Sequence, residues 1–177
     1  MGNFIIQLTT TLVGFTSPFV SVDMFQPSFT QAAALGSAVE MTEQQAEQFK
    51  ERADAIDAFF QKRSMPLAGY GTTMVSAAEK NGLDWRLLPA IAARESSGGK
   101  QACNFNPFGW GSCKIEFKSW TEAINTVAAH LGGNRPTTSD YYKDTTTKEK
   151  LHFYNGTVMP AYTGEVLAIM DMIGTAK

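Results

Sequence analysis

The stretch Asp84-Trp85-Arg86-Leu87-Leu88-Pro89-Ala90-Ile91-Ala92-Ala93-Arg94-Glu95, closed by Ser96-Ser97-Gly98-Gly99, decides how the chain is read. Asp84 is a residue type that caps helices, and Leu87, Ile91 and Glu95 recur at every fourth position, so a helix sets all three on one stripe. Two of them are core side chains. The third is a carboxylate, which therefore stands where water is scarce and at the helix end where partial negative charge gathers; both influences favour the protonated form of an acid so placed. Pro89 removes a backbone donor and predicts a lost hydrogen bond and a kink inside this helix. The serine and glycine run ends it. An acid that keeps its proton is what cleavage of a glycosidic bond requires, because the leaving oxygen must gain a proton as the bond opens. The alternative is that Glu95 is a solvated last-turn residue paired with Arg94 or Lys100.

Helical spacing continues on both sides. Upstream, residues 42–63 alternate charged and apolar positions with Phe49, Ala53, Ile56, Phe59 and Phe60 on one side and Thr42 as N-cap, which predicts an amphipathic entry helix within residues 41–65. Pro66 to Gly71 is a connector, and Met74 to Lys80 a short helix stopped by Asn81-Gly82. Downstream, residues 101–118 have no helical period and predict a loop with short extended pieces, the usual place for substrate contacts. Ser119-Trp120-Thr121-Glu122 is a capping-box pattern opening a helix to Gly132-Gly133. Further helices are predicted over about 147–154 and, after Pro160, through Val166, Leu167, Ile169, Met170 and Ile173. The chain reads as mostly α, a single domain with a small irregular or β-like lobe near residues 101–118.

Composition narrows the function classes. The 177 residues are 44% apolar and 18% charged, enough for one packed core and too few for two sizeable ones. A net charge of −2 supplies no long-range field for nucleic acid, so no nucleic-acid partner is expected. From Met1 to Val39 the sole charged side chain is Asp23, and Phe4, Ile5, Ile6, Leu8, Leu12, Val13 and Phe15 precede the small residues Ala32-Ala33-Ala34. Residues 1–40 thus read as a signal peptide or an apolar membrane tether, or else as a plain apolar arm. Cys103 and Cys113, the only cysteines, lie ten positions apart across a stretch rich in Asn, Gly and Pro, a spacing that fits a loop-closing disulfide. Such a bridge persists outside the reducing cytosol, so a secreted or cell-envelope location is expected. His130 and His152 make no recognised metal spacing with the cysteines, and neither a metal nor another cofactor is expected.

A family resemblance rests on the order of several motifs. Ala90 to Lys100, containing Arg94-Glu95-Ser96-Ser97-Gly98, is followed by Asn106-Pro107-Phe108-Gly109-Trp110-Gly111, then by Phe117-Lys118-Ser119 leading to Glu122-Ala123-Ile124. Tyr141-Tyr142, Tyr154-Asn155, Ala161-Tyr162 and Val166 come after. In this order they resemble the glucosaminidase family, the mannosyl-glycoprotein endo-β-N-acetylglucosaminidase-like domain of the lysozyme-like superfamily. The Glu-Ser pair and late Tyr-Asn are shared with soluble lytic transglycosylases. The resemblance covers about residues 66–174 and implies a lysozyme-like domain over residues 66–177.

It further implies that Glu95 is the general acid acting on glycan strands of peptidoglycan, in a monomer. Asn106, Phe108 and Trp110 would line the groove, with Asn155 beside them, since an aromatic face and an amide together can hold a sugar ring. Phe108 is equally readable as a core plug. Tyr154 would face the acid across the cleft and steady developing charge, or else pack as a helix-end core tyrosine. A hydrolase also wants a second carboxylate, for which Glu116, the only acidic residue between Glu95 and Glu122, is the candidate. Its alternative is an exposed loop charge beside Lys114 and Lys118. Three activities follow: an endo-β-N-acetylglucosaminidase-type hydrolase, a lytic transglycosylase giving 1,6-anhydro products, and a non-catalytic peptidoglycan-binding module.

Overall fold

Helix α3, Leu87–Ser96, is the centre of the fold, with Leu87, Leu88, Ala90, Ile91 and Ala92 all fully buried in a computed structural model that describes residues 41–175. A helix apolar on every side must be covered on every side. Helix α7, Tyr162–Gly174, and helix α2, Gly71–Lys80, pack against it, while α1, Glu43–Gln61, lies on α2 and α7. Helix α4, Trp120–Leu131, packs on α2 and leads through the short α5, Ser139–Tyr142, to α6, Thr147–Leu151. The described chain is mostly helical, and residues 101–118 form a small irregular lobe, as expected. The expected signal or tether in residues 1–40 lies outside the described residues.

The entry helix is an integral wall of the core. Ala53, Ile56, Phe59 and Phe60 are buried, and Thr42 closes a reciprocal capping box with Gln45 at its start. Asp57 also caps its neighbour. Its Oδ1 accepts from the amides of Gly69 at 2.7 Å and Gly71 at 2.9 Å, satisfying donors at the α2 N-terminus that no local side chain reaches. A β-carbon on Gly71 would come within 2.2 Å of the Ala53 carbonyl oxygen, so the two helices touch backbone to backbone there.

Pro89 differs from expectation. It is the third residue of α3, where a backbone donor has no partner inside the helix anyway, so the ring sacrifices no intrahelical hydrogen bond. Asp84 does not cap the helix as expected: it stands two residues before the N-cap, Arg86, and its Oδ1 accepts from the Arg86 amide at 2.9 Å while its carboxylate pairs with the Arg86 guanidinium. The helix ends through Ser97 at φ 53°, with the Gly98 amide returning to the Ala92 carbonyl.

Candidate active site

Four elements meet around the exposed end of α3. A cleft of about 550 Å³ is lined by Glu95, Phe108 to Ser112, Tyr142, Tyr154 and Asn155. Glu95 enters because α3 is buried up to Ala92 and emerges only in its last turn, where Arg94 and Glu95 are half-buried. Neither nearby cation neutralises it. Arg94 donates to Glu165 at 2.6 Å and Lys100 to the Arg63 carbonyl at 2.8 Å, and none of the ion pairs among the described residues includes Glu95. Its Oε1 is buried without a hydrogen-bond partner. Its Oε2 is on the Gly109 side, 3.2 Å from where a β-carbon on that residue would stand.

The irregular lobe holds its shape through buried polar bonds and one covalent clamp. Cys103 and Cys113 are disulfide-bonded, with Cα atoms 6.1 Å apart. Asn106 is 1% exposed and its amide is fully committed: Nδ2 donates to the Trp110 carbonyl at 2.8 Å and Oδ1 accepts from the Trp110 amide at 3.0 Å. Ser96, also buried, lies 2.7 Å from the Pro107 carbonyl and accepts from the Gly99 amide, fastening the lobe to the end of α3. Gly109 at φ 62° then turns the chain in the left-handed region and delivers Trp110 into the cleft.

The opposite wall is aromatic. Tyr154 and Asn155 sit in a π-helical turn, His152–Gly156, which continues α6. A widened turn of this kind re-aims the side chains it carries and is frequent at functional sites. The Tyr154 hydroxyl donates to the Phe108 carbonyl at 2.5 Å, tying the two walls together. Its ring lies 5.6 Å from Trp110 and stacks on Tyr162 at 6.0 Å with a 7° tilt. Burial foremost, then the charges of Glu95 and Tyr142, push the Tyr154 phenol well above its usual range. Burial likewise pushes Tyr142 up to about 12. These hydroxyls remain neutral donors at any physiological pH. Trp110 also leans on His130, ring to ring at 4.9 Å, while His130 Nδ1 meets the Thr138 hydroxyl at 2.9 Å.

The structure therefore brings together Glu95, Trp110, Tyr154 and Asn155 and corrects three other expectations. Phe108 borders the cleft but is fully buried, so of its two readings the core plug holds and the sugar-facing one does not. Asn106 organises the Trp110 turn and has no amide function left for a ligand. Glu116 is exposed, accepts from Asn104 at 3.2 Å, and is absent from the cleft lining. Glu95 is thus the sole carboxylate on that lining. Tyr142, Gly109 and His130 were not among the expected site residues. Tyr142 carried a signal, since it belongs to the Tyr141-Tyr142 motif, whereas His130 lies at the end of an ordinary amphipathic helix and had none. No group of His, Cys, Asp and Glu among the described residues is arranged to hold a metal ion, and no helix among them is long and apolar enough to cross a membrane. No family model matches the chain, and no curated protein and no solved structure matches it.

Proposed function

We propose that this protein cleaves the glycan strands of peptidoglycan, with Glu95 as the proton donor. The observation that carries this reading is a half-buried, unpaired carboxyl group on the lining of an aromatic cleft, in a chain whose motifs run in the order of the glucosaminidase family. Glu95 passes its proton to the bridging oxygen as that bond breaks, and the sugar's anomeric carbon gains positive charge. Trp110 supplies a partly exposed ring for a sugar face, and the Asn155 amide, which makes no side-chain hydrogen bond among the described residues, supplies polar contacts. The disulfide agrees with an extracytoplasmic enzyme.

Which nucleophile completes the reaction follows from the carboxylate count. A retaining hydrolase needs a second carboxylate about 5 Å from the acid and an inverting one needs it somewhat further away. Glu95 is the sole carboxylate on the cleft lining, the one group placed there to serve first as acid and then as base. That favours attack by the sugar's own hydroxyl, the lytic transglycosylase course, over the hydrolytic endo-β-N-acetylglucosaminidase course. Mass spectrometry of fragments from purified peptidoglycan separates the two, because the anhydro product is lighter by one water. Glu95→Gln should keep its Tm and lose fragment release by about 10²- to 10⁴-fold. Undiminished release would remove Glu95 from the mechanism. Binding of peptidoglycan by the unaltered chain with no fragments at all would make it a binding module.

A further inference from the structure

Two buried side-chain atoms among the described residues lack any hydrogen-bond partner: Glu95 Oε1 and the Tyr162 hydroxyl. They belong to one locality: the Tyr162 ring is stacked on Tyr154, a residue of the cleft lining, and lies beside the guanidinium of Arg94, the residue before Glu95. The Glu95 carboxylate raises the Tyr162 phenol both as a charge and as an acceptor, behind burial and the charge of Tyr154, while Arg94 pulls the other way. Yet neither atom completes an aligned bond. A buried hydroxyl left unpaired is destabilising, and a phenylalanine would fill the same space without that cost. Tyr162 is 0% exposed, so its hydroxyl is not there for solvent. Its ring is held from two sides, by the parallel Tyr154 ring and by the Arg94 guanidinium 5.8 Å from its centroid. What remains free is rotation of the O–H.

We infer that Tyr162 is a positioning residue for Glu95, its hydroxyl donating to Oε1 when the carboxyl group has released its proton from Oε2 into the cleft. The inference rests on the proposed role of Glu95 and assigns its two oxygens. Oε2, on the Gly109 side, is the one that faces substrate. Oε1, in the interior, is where the resulting negative charge is met by a fixed donor. Before transfer Oε1 has little need of that donor, and afterwards it becomes a charged acceptor, so the bond strengthens as the reaction proceeds. No proton is exchanged with Tyr162. The proton lost by Oε2 is the one gained by the leaving oxygen, and the base step returns a proton to the same oxygen.

The test is Tyr162→Phe, which keeps the ring between Tyr154 and Arg94. On soluble peptidoglycan fragments, kcat should fall by about 10- to 100-fold with KM within about twofold. The Tm should hold or rise, because an unsatisfied hydroxyl has been removed. An unchanged kcat would overturn the inference, as would a lowered Tm with kcat and KM shifting together, the mark of a packing role. A second measurement needs no activity. In a thermal cycle of Tyr162→Phe, Glu95→Gln and the double variant, run at about pH 8, well above the ordinary carboxylate range, so that the charged acceptor is present, the double should depart from the sum of the singles, and additive Tm changes there would refute the contact. An unaltered chain that cut no peptidoglycan would defeat the proposed function while the cycle still decided this inference.

Discussion

Gly109 is the single position where backbone conformation and the candidate acid meet. Its φ of 62° disfavours any side chain, and a β-carbon there would stand 3.2 Å from Glu95 Oε2, closer than a carbon comfortably approaches an oxygen. Gly109→Ala should therefore do two separable things. The left-handed conformation costs about 1–2 kcal/mol, read as a modest drop in Tm. The added methyl group also displaces the carboxyl oxygen that faces the cleft, so kcat should fall further than an equal loss of stability elsewhere would lower it. Comparison with Gly82→Ala makes the distinction, because Gly82 has a similar φ of 63° but open space where the methyl would go. Equal kcat in the two variants would show that Oε2 does not depend on the room Gly109 leaves.

Among the elements, the irregular lobe is the one whose shape rests on a covalent clamp. Replacing Cys103 and Cys113 together by serine should lower the Tm by roughly 10 °C, following from about 2–3 kcal/mol for a loop of this length. In unfolding-free conditions KM should rise while kcat changes less, because Trp110 must then be ordered on binding. A KM that stayed put would mean that Asn106 and Ser96 suffice to hold the lobe. The same lobe marks where the sequence stopped being legible. Helices α1 and α4 announced themselves through Thr42, Ser119 and a sustained apolar stripe, and both begin at the expected cap. Helix α5 is four residues long, shorter than one helical repeat can reveal, and the π-helical turn at His152–Gly156 follows α6 with no change of composition. Within the lobe no periodicity says which way a side chain points. Phe108 and Trp110 are two residues apart and both aromatic, yet one is core and the other cleft, a difference set by the left-handed turn at Gly109 between them. Asn106 looked like a ligand for the same reason: a polar side chain in a loop reads as outward until its backbone partners are known. The stripe on which Glu95 stands was legible because it sits on a helix, where spacing does define direction, whereas its reading as the acid came from the family resemblance.

At the scale of the whole domain, stability should depend on pH in two windows governed by different groups. His130 joins α4 to the cleft, packed on Trp110 and bonded to the Thr138 hydroxyl. Burial foremost, then the nearby Arg135 charge, holds its imidazole below the usual value of about 6.5. The unfolded chain therefore binds the proton more readily than the folded one does. Stability tied to His130 is complete above about pH 6.5 and is lost as the pH falls through the lower folded value. Asp84 acts further down. Burial works to raise its carboxyl, but the hydrogen bonds and charge of Arg86 outweigh it, so its contribution is complete above about pH 3.9 and disappears in stronger acid. The windows can be separated by substitution. In His130→Gln, whose amide can still meet Thr138, the decline in Tm between pH 7 and 5 should flatten while the loss below pH 4 persists; Asp84→Asn should do the reverse. If His130→Gln left the upper decline untouched, His130 would not be held in its neutral form by the fold. The consequence for the cleft is direct: Trp110 rests on a ring that folding keeps uncharged at neutral pH, so acidification should loosen that wall before it unfolds the domain. As the pH falls below about 6.5, tryptophan fluorescence should accordingly change in the unaltered chain and stay constant in His130→Gln.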